Sequence, residues 1–340
     1  MNAVSETASL TVPQNFNVNQ DAEDIHTAMS HKNEADRIIN ILGHRTASMR
    51  LSIRKAYAEK FHEDLLTAVY NSKYSSEFVD LLISLLIGPI GMLARELRKK
   101  LDKESVDEIL CTANGWELRE IQASYEALTS TEEFRKDTKN STLESAINGK
   151  IKDGLHRDYL LKLLRGSRDE VNLEDIRVQL ETRGNTDALI NIAQVNQDVE
   201  KLRTAGKPQE EVFVEIISKR SNLHLKKMYD VFAKPAKLKS CDFLLRWCYH
   251  DDNLFDLVMA AVDQKLLLVA QLYNAMKGFG TKEQILNRII CLRSEHDMAL
   301  LKVLFEERIG KDLGDEVYSE TSGDYRTLLM VLLNSSHHKK

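Results

Sequence analysis

The feature that most constrains this chain is a fourfold self-similarity. With Arg45, Ala113, Arg220 and Arg293 as anchors, an isoleucine stands four residues before each: Ile41, Ile109, Ile216 and Ile289. A second aliphatic stands three before, at Leu42, Leu110, Ile217 and Ile290. Eight residues after come Ile53, Ile121, Met228 and Leu301, and twelve after come the rings of Tyr57, Tyr125, Phe232 and Phe305. Offsets of four and eight keep side chains on one helical face. Each block therefore reads as a helix, a short turn at the anchor and an amphipathic helix, and four blocks read as four repeats.

The anchors lie 68, 107 and 73 residues apart, so the period is near seventy and the middle interval holds extra material. Thr131–Ser141 and Val171–Ile190 are the candidates. Further helices are expected ahead of the anchors at Asp21–Met29, Leu93–Leu101, Val199–Ala205 and Leu266–Met276. Others are expected behind, as at Lys311–Tyr318 and Asp324–Leu333. Strand-type alternation is nearly absent. The expected fold is all-α, four repeats of about five helices each. Its boundaries are a flexible N-terminal tail at 1–18, repeats at 19–88, 89–170, 191–263 and 264–336, and an inserted linker at 171–190.

Composition narrows the function. Hydrophobic residues make up 43% and charged residues 29%, which suits a globular chain. A formal net charge of −5 argues against a dedicated nucleic-acid binder. The most apolar stretch, Leu81–Met92, is broken by Gly88, Pro89 and Gly91 and falls well short of the roughly 20 residues that cross a bilayer. Four cysteines without paired close spacing fit a reduced intracellular protein. Cys241 and Cys248, with His250 nearby, lack the second pair that a zinc site needs and read as buried helix cysteines. The basic run Arg95, Arg98, Lys99, Lys100 and Lys103 is interleaved with Glu96, Asp102 and Glu104, and reads as a solvated helix face more readily than as a lipid contact. No phosphate-cradling loop, nucleophile elbow or zinc-hydrolase motif occurs, so an enzyme is not expected.

The fourth repeat carries the chemistry. In Met276-Lys277-Gly278-Phe279-Gly280-Thr281, two glycines around one apolar residue let the backbone bend until carbonyl oxygens converge. Ca²⁺ is a hard cation that wants six to eight oxygens, and such a loop supplies part of the set. The missing piece is a carboxylate, and Glu320 lies 42 positions after Gly278, in Ser319-Glu320-Thr321-Ser322-Gly323-Asp324.

These segments resemble the annexin family. So do Cys291-Leu292-Arg293-Ser294-Glu295, the run Gly323-Asp324-Tyr325-Arg326, and Ala193-Gln194-Val195-Asn196-Gln197-Asp198. The likeness spans residues 19–336. It implies a curved, all-helical disk that binds anionic phospholipid membranes in a calcium-dependent way through loops on one face. Position by position, it implies Ca²⁺ ligation by the carbonyls of Met276, Gly278 and Gly280 and the carboxylate of Glu320. A secondary site at Thr281 and Glu283 follows on the same grounds. Phe279 and Lys277 become the expected membrane contacts, although Phe279 could instead fold back onto the core.

The other repeats depart from the pattern. The carboxylate position, 27 after the anchor, is Ser72, Asn140 and Trp247, and the loop Met29–Glu34 has no glycine. In repeat three, Asp251 and Asp252 could serve a rearranged site with Gly206. This loss of sites over a persisting helical frame resembles the alpha-giardins, cytoskeleton-associated annexins. The implied address is cytoplasmic, peripheral at the inner face of the plasma membrane, with self-association on the membrane. The alternative is a calcium-independent scaffold that docks on cytoskeletal or flagellar filaments.

Overall fold

The computed structural model describes residues 7–31, 34–131, 133–134, 141–152, 154–166, 168–204, 209–233, 263–278 and 280–336. Among these residues the chain is helical throughout, with no strand. The first block contains five helices: Val18–Ser30, Ala35–Leu42, Ala47–Phe61, Leu65–Tyr70 and Ser76–Leu86. The last block repeats the plan with Gln264–Met276, Glu283–Arg293, Met298–Ile309, Leu313–Glu320 and Gly323–Leu333. Five also fill the second: Gly88–Lys99, Lys103–Thr112, Gly115–Ala127, Leu143–Lys150 and Leu155–Leu164. Ile192–Thr204, Gln209–Lys219 and Asn222–Ala233 belong to the third.

Local chemistry sets most of the starts. Thr46, Asp64, Ser75, Asn114, Thr142 and Asp312 each accept an N–H from the first turn of the helix they precede. Asn114 and Glu117 complete a reciprocal capping box. The chain forms two compact units, one of residues 1–93 with 268–340 and one of residues 94–267.

In the first unit the repeat positions form the core. Leu42, Ile53, Tyr57, Ile289, Ile290, Leu301 and Phe305 are all buried in one apolar cluster. The anchor Arg45 is itself buried and forms a two-pronged ion pair with Asp21, at 2.6 and 2.9 Å. Arg293 grips Asp297 one turn on, at 2.7 and 2.5 Å. Glu295 accepts the Ala47 N–H at 2.7 Å and so caps the helix Ala47–Phe61.

The expected flexible tail is docked at its described end. Ser9 and Leu10 donate their N–H groups to the Ser294 carbonyl at 3.0 and 2.9 Å, and the Ala299 N–H donates to Thr7 at 3.0 Å. The Ser9 hydroxyl donates to the Leu332 carbonyl at 2.5 Å, and Leu10 is buried. Backbone pairing, the Thr7 and Ser9 hydroxyls and the apolar side chains of Leu10, Val12 and Phe16 hold this segment, and none of them leaves a periodic signal in the sequence.

In the second unit, Ile109, Leu110, Ile121, Tyr125, Ile216 and Ile217 are buried as the repeat predicts. Asp198 is fully buried and takes Arg220 at 2.6 Å, His224 at 3.1 Å and Gln194 at 3.1 Å. Arg220 holds its carboxyl below the usual range, although burial works to raise it. The basic run is corrected: Arg95 and Arg98 are buried and do not form a solvated face. Arg95 chelates Glu133 through two 2.8 Å bonds, and Arg98 lies over the rings of Tyr125 and Phe134. Glu133 and Phe134 lie in the extra stretch of repeat two, out of register with the helix face, so the pairing was invisible to helical spacing.

The segment expected to be a linker contains a helix, Leu173–Arg183. Asn172 caps it, Glu174 and Asp175 fill its first turn, and Gly184 closes it at φ 67°. Arg177 bridges Glu174 and Glu181 along its surface.

Candidate metal centre

The fourth-repeat site lies where two helices end. Met276 closes the helix Gln264–Met276, and Glu320 closes Leu313–Glu320. The last carbonyls of a helix have no partner within it and carry the negative end of its dipole. Two such ends side by side make an environment suited to a cation.

One hydrogen bond joins them. The Thr281 hydroxyl donates to the Glu320 carbonyl at 3.1 Å, tying the glycine loop to the end of the later helix. The Lys282 N–H reaches back to the Ala275 carbonyl at 2.9 Å and closes the loop on itself. Gly278 and Gly280 sit at φ 106° and 83°, in the region that side chains disfavour. Both are exposed, with open space where a Cβ would stand.

Glu320 is exposed, and among the described residues its carboxylate makes no hydrogen bond or ion pair. Its turn is fixed from the other side. Arg326 donates to the Thr321 carbonyl and stacks its guanidinium 4.2 Å over Tyr318, while Thr321 bonds back to Val317 at 2.5 Å. The hydroxyl of Tyr325 donates to buried Asn287 at 2.9 Å. The motif residues Tyr325 and Arg326 thus position the turn that presents Glu320, a role their spacing in sequence did not reveal. Lys277 lies 5.3 Å above the ring of Tyr273. Glu283 opens the next helix, whose first turn it shares with no side-chain cap.

The donor set fits a hard cation: neutral carbonyls at a helix end, two glycines allowing the bend, and one uncommitted carboxylate. No cluster of three or more His, Cys, Asp or Glu side chains that could hold a metal occurs among the described residues. Calcium here would therefore rest chiefly on main-chain oxygen. Of the remaining candidates, Phe279, Gly206, Asp251 and Asp252 lie outside the described residues, as do Asn140, Trp247, Cys241 and Cys248. Ser72 is described, and its Oγ is buried without a partner where the fourth repeat carries Glu320.

Fold and site together define a helical-repeat protein with a carbonyl-rich, cation-compatible turn between paired helices. The Annexin family profile matches residues 20–85 and 268–332. The chain is 31% identical over 340 residues to annexin A13 of Schistosoma japonicum, covering 96% of this chain and 94% of that one. It is 30% identical to annexin A13 of Mus musculus, covering 94% and 96%. The chain belongs to the annexin family. A solved structure of an annexin A8 mutant superposes with a TM-score of 0.77 at 28% identity, over 97% of this chain and 99% of that one. Calcium-bound annexin (Sm)1 shares the fold with a TM-score of 0.84 at 24% identity, over 97% and 94%. Calcium-bound alpha-14 giardin shares it at 0.72 and 14% identity, over 93% and 99%. Annexins as a family bind phospholipid membranes peripherally and with calcium. No described helix here is long and apolar enough to cross a membrane.

Proposed function

We propose that this chain binds anionic phospholipid membranes in a calcium-dependent way through its fourth repeat. The carbonyls of Met276, Gly278 and Gly280 and the carboxylate of Glu320 would hold Ca²⁺. The observation that supports this reading is the hydrogen bond from the Thr281 hydroxyl to the Glu320 backbone carbonyl, which ties the glycine loop to the end of the helix that bears the uncommitted carboxylate. Ca²⁺ bound there would supply positive charge and open coordination positions for a lipid phosphate. The chain's own part is to hold the loop open with Gly278 and Gly280 and to pin the Glu320 turn with Arg326.

One carboxylate among neutral oxygens makes a weak site, toward the roughly 10⁻⁴–10⁻³ M end of protein calcium affinities. Lipid phosphate adds charge, so ion and membrane strengthen each other reciprocally. Lys277 and Phe279 flank the first glycine and are assigned to the membrane contact. Thr281 and Glu283 are assigned to a secondary, weaker site, and Gly206 with Asp251 and Asp252 to a rearranged one in repeat three. Self-association on the membrane would compensate for the weakness of the site on each chain. The reading assigns no catalysis, and places the protein at the inner face of the plasma membrane, where it links membrane and cytoskeleton.

Pelleting with phosphatidylserine vesicles across a calcium titration tests it. Glu320→Gln keeps shape and removes charge, and is expected to raise the calcium needed for half-maximal pelleting by at least about tenfold. Unchanged pelleting refutes the site. A scaffold reading of calcium-independent docking on filaments predicts instead no calcium response at all and cosedimentation with filaments in chelator.

A further inference from the structure

The helix Leu173–Arg183 is unlike the others. None of its described side chains is buried, and its main packing partner is the short turn Asp187–Leu189. Helices of fewer than about 12–15 residues are marginal in water without tertiary contacts. Its caps and its Arg177 ion pairs support this one, which leaves Leu180 50% exposed.

Beside it lies a cleft of about 610 Å³. Its apolar wall is Val171, Ile176, Leu223 and Trp116, whose indole is 56% exposed. Ile176 and Leu180 stand four residues apart on one side of the helix, so Leu180 extends the wall that Ile176 begins. Arg168 enters the cleft but is occupied, donating to the Cys111 carbonyl, the Asn222 side chain and the Tyr159 hydroxyl at 2.8 to 3.2 Å.

The rim is acidic. Residues 169–187 hold six carboxylates against two guanidinium groups; Asp169 pairs with Arg220, Asp187 with Lys227, and Glu174 and Glu181 with Arg177, which leaves Asp175 and Glu170 outside these ion pairs. Asp175 has no partner among the described residues, and Glu170 caps the helix Gly115–Ala127 at the Gly115 N–H. A surface of this sign repels an anionic bilayer and attracts cations.

We infer that this cleft and the exposed helix face form a docking surface for a basic, amphipathic segment of another protein. Apolar side chains of the partner would enter between Trp116 and Ile176 and cover Leu180, while its lysines or arginines meet Asp175 and Glu170. Covering Leu180 would bury the apolar side chain that the helix leaves exposed.

The test uses the full chain in calcium chelator, so the fourth-repeat loop is silent and the outcome is independent of the membrane reading. A fluorescein-labelled synthetic Lys/Leu amphipathic peptide and its Glu/Leu counterpart are titrated by anisotropy. The Lys peptide is expected to bind at least about tenfold more tightly than the Glu peptide, and Leu180→Ser or Trp116→Ala to weaken it about tenfold. Asp175→Lys should weaken it roughly threefold, chiefly at low salt. Val178→Ser, on the opposite side of the helix, should leave binding unchanged. Equal binding of the two peptides overturns the inference. So does insensitivity to Leu180→Ser and Trp116→Ala, or equal loss in Val178→Ser. If sedimentation shows wild-type dimers that Leu180→Ser dissociates, the surface is instead a self-interface. If Leu180→Ser changes vesicle pelleting, it is a membrane face.

Discussion

The two compact units use one construction and differ in what they add to it. In the first, Glu295 of the fourth repeat caps the helix Ala47–Phe61 two residues past the anchor Arg45. In the second, Glu170 caps the helix Gly115–Ala127 two residues past the anchor Ala113. Buried carboxylates recur as well, Asp21 for Arg45 and Asp198 for Arg220. Yet the family profile matches segments of the first unit, residues 20–85 and 268–332. That unit also carries the cation-compatible turn, while the second carries the acidic helix Leu173–Arg183. The frame is kept by buried geometry in both. What each unit presents to the outside rests on a few loop residues that the frame does not restrict.

The comparison breaks most sharply at the aromatic positions. Phe305 and Tyr125 each stand twelve past an anchor and are buried to within 1%. Phe305→Ala and Tyr125→Ala are each expected to cost about 3–5 kcal/mol by urea unfolding. A much smaller cost for Tyr125→Ala would mean that the second unit is loosely packed and the shared frame is only topological.

The buried carboxylates come next. Removing one partner of a buried pair leaves a charge uncompensated, at about 3 kcal/mol or more. Asp198 serves Arg220, His224 and Gln194, whereas the Asp21 carboxylate meets Arg45. Asp198→Ala should therefore lower the denaturation midpoint more than Asp21→Ala. The reverse order would show that the extra partners of Asp198 contribute nothing.

The smallest effect separates the units by pH. His224 stands four past its anchor, where the first repeat has the non-ionising Met49. Burial pushes His224 below its ordinary 6.5, against the pull of Asp198, with Arg220 pressing the same way as burial. The unfolded chain then binds the proton more readily, so stability falls as pH drops below about 6.5. The Asp198 contribution is present above 3.8 and is lost only as pH falls below that value. Melting curves between pH 7 and pH 5 should show the decline in the wild type and a flatter profile in His224→Gln. Identical profiles would remove the histidine from the account.

Much of this was legible beforehand because it is periodic or local. The buried pairs Ile41/Leu42 and Ile289/Ile290 and the rings at Tyr57 and Phe305 follow from spacing and residue type. The calcium candidates were legible as a list, since Gly-x-Gly and a carboxylate at fixed distance are sequence facts. Arg95 and Arg98 were misread because their partners, Glu133 and Phe134, come from an irregular insertion. The docking of Thr7–Leu10 on Ser294 and Leu332 was not legible because it rests on backbone pairing and a single serine hydroxyl, which follow no periodic pattern.

The residues alone determined a fourfold helical plan, because helix faces and caps are short-range and repeat with the chain. Only the tertiary structure decided which charges are buried, that Arg326 and Tyr325 hold the turn beneath Glu320, and that the helix Leu173–Arg183 keeps Leu180 exposed. Those outcomes depend on segments far apart in sequence meeting in space, where desolvation and chain topology, rather than local preference, set the energy.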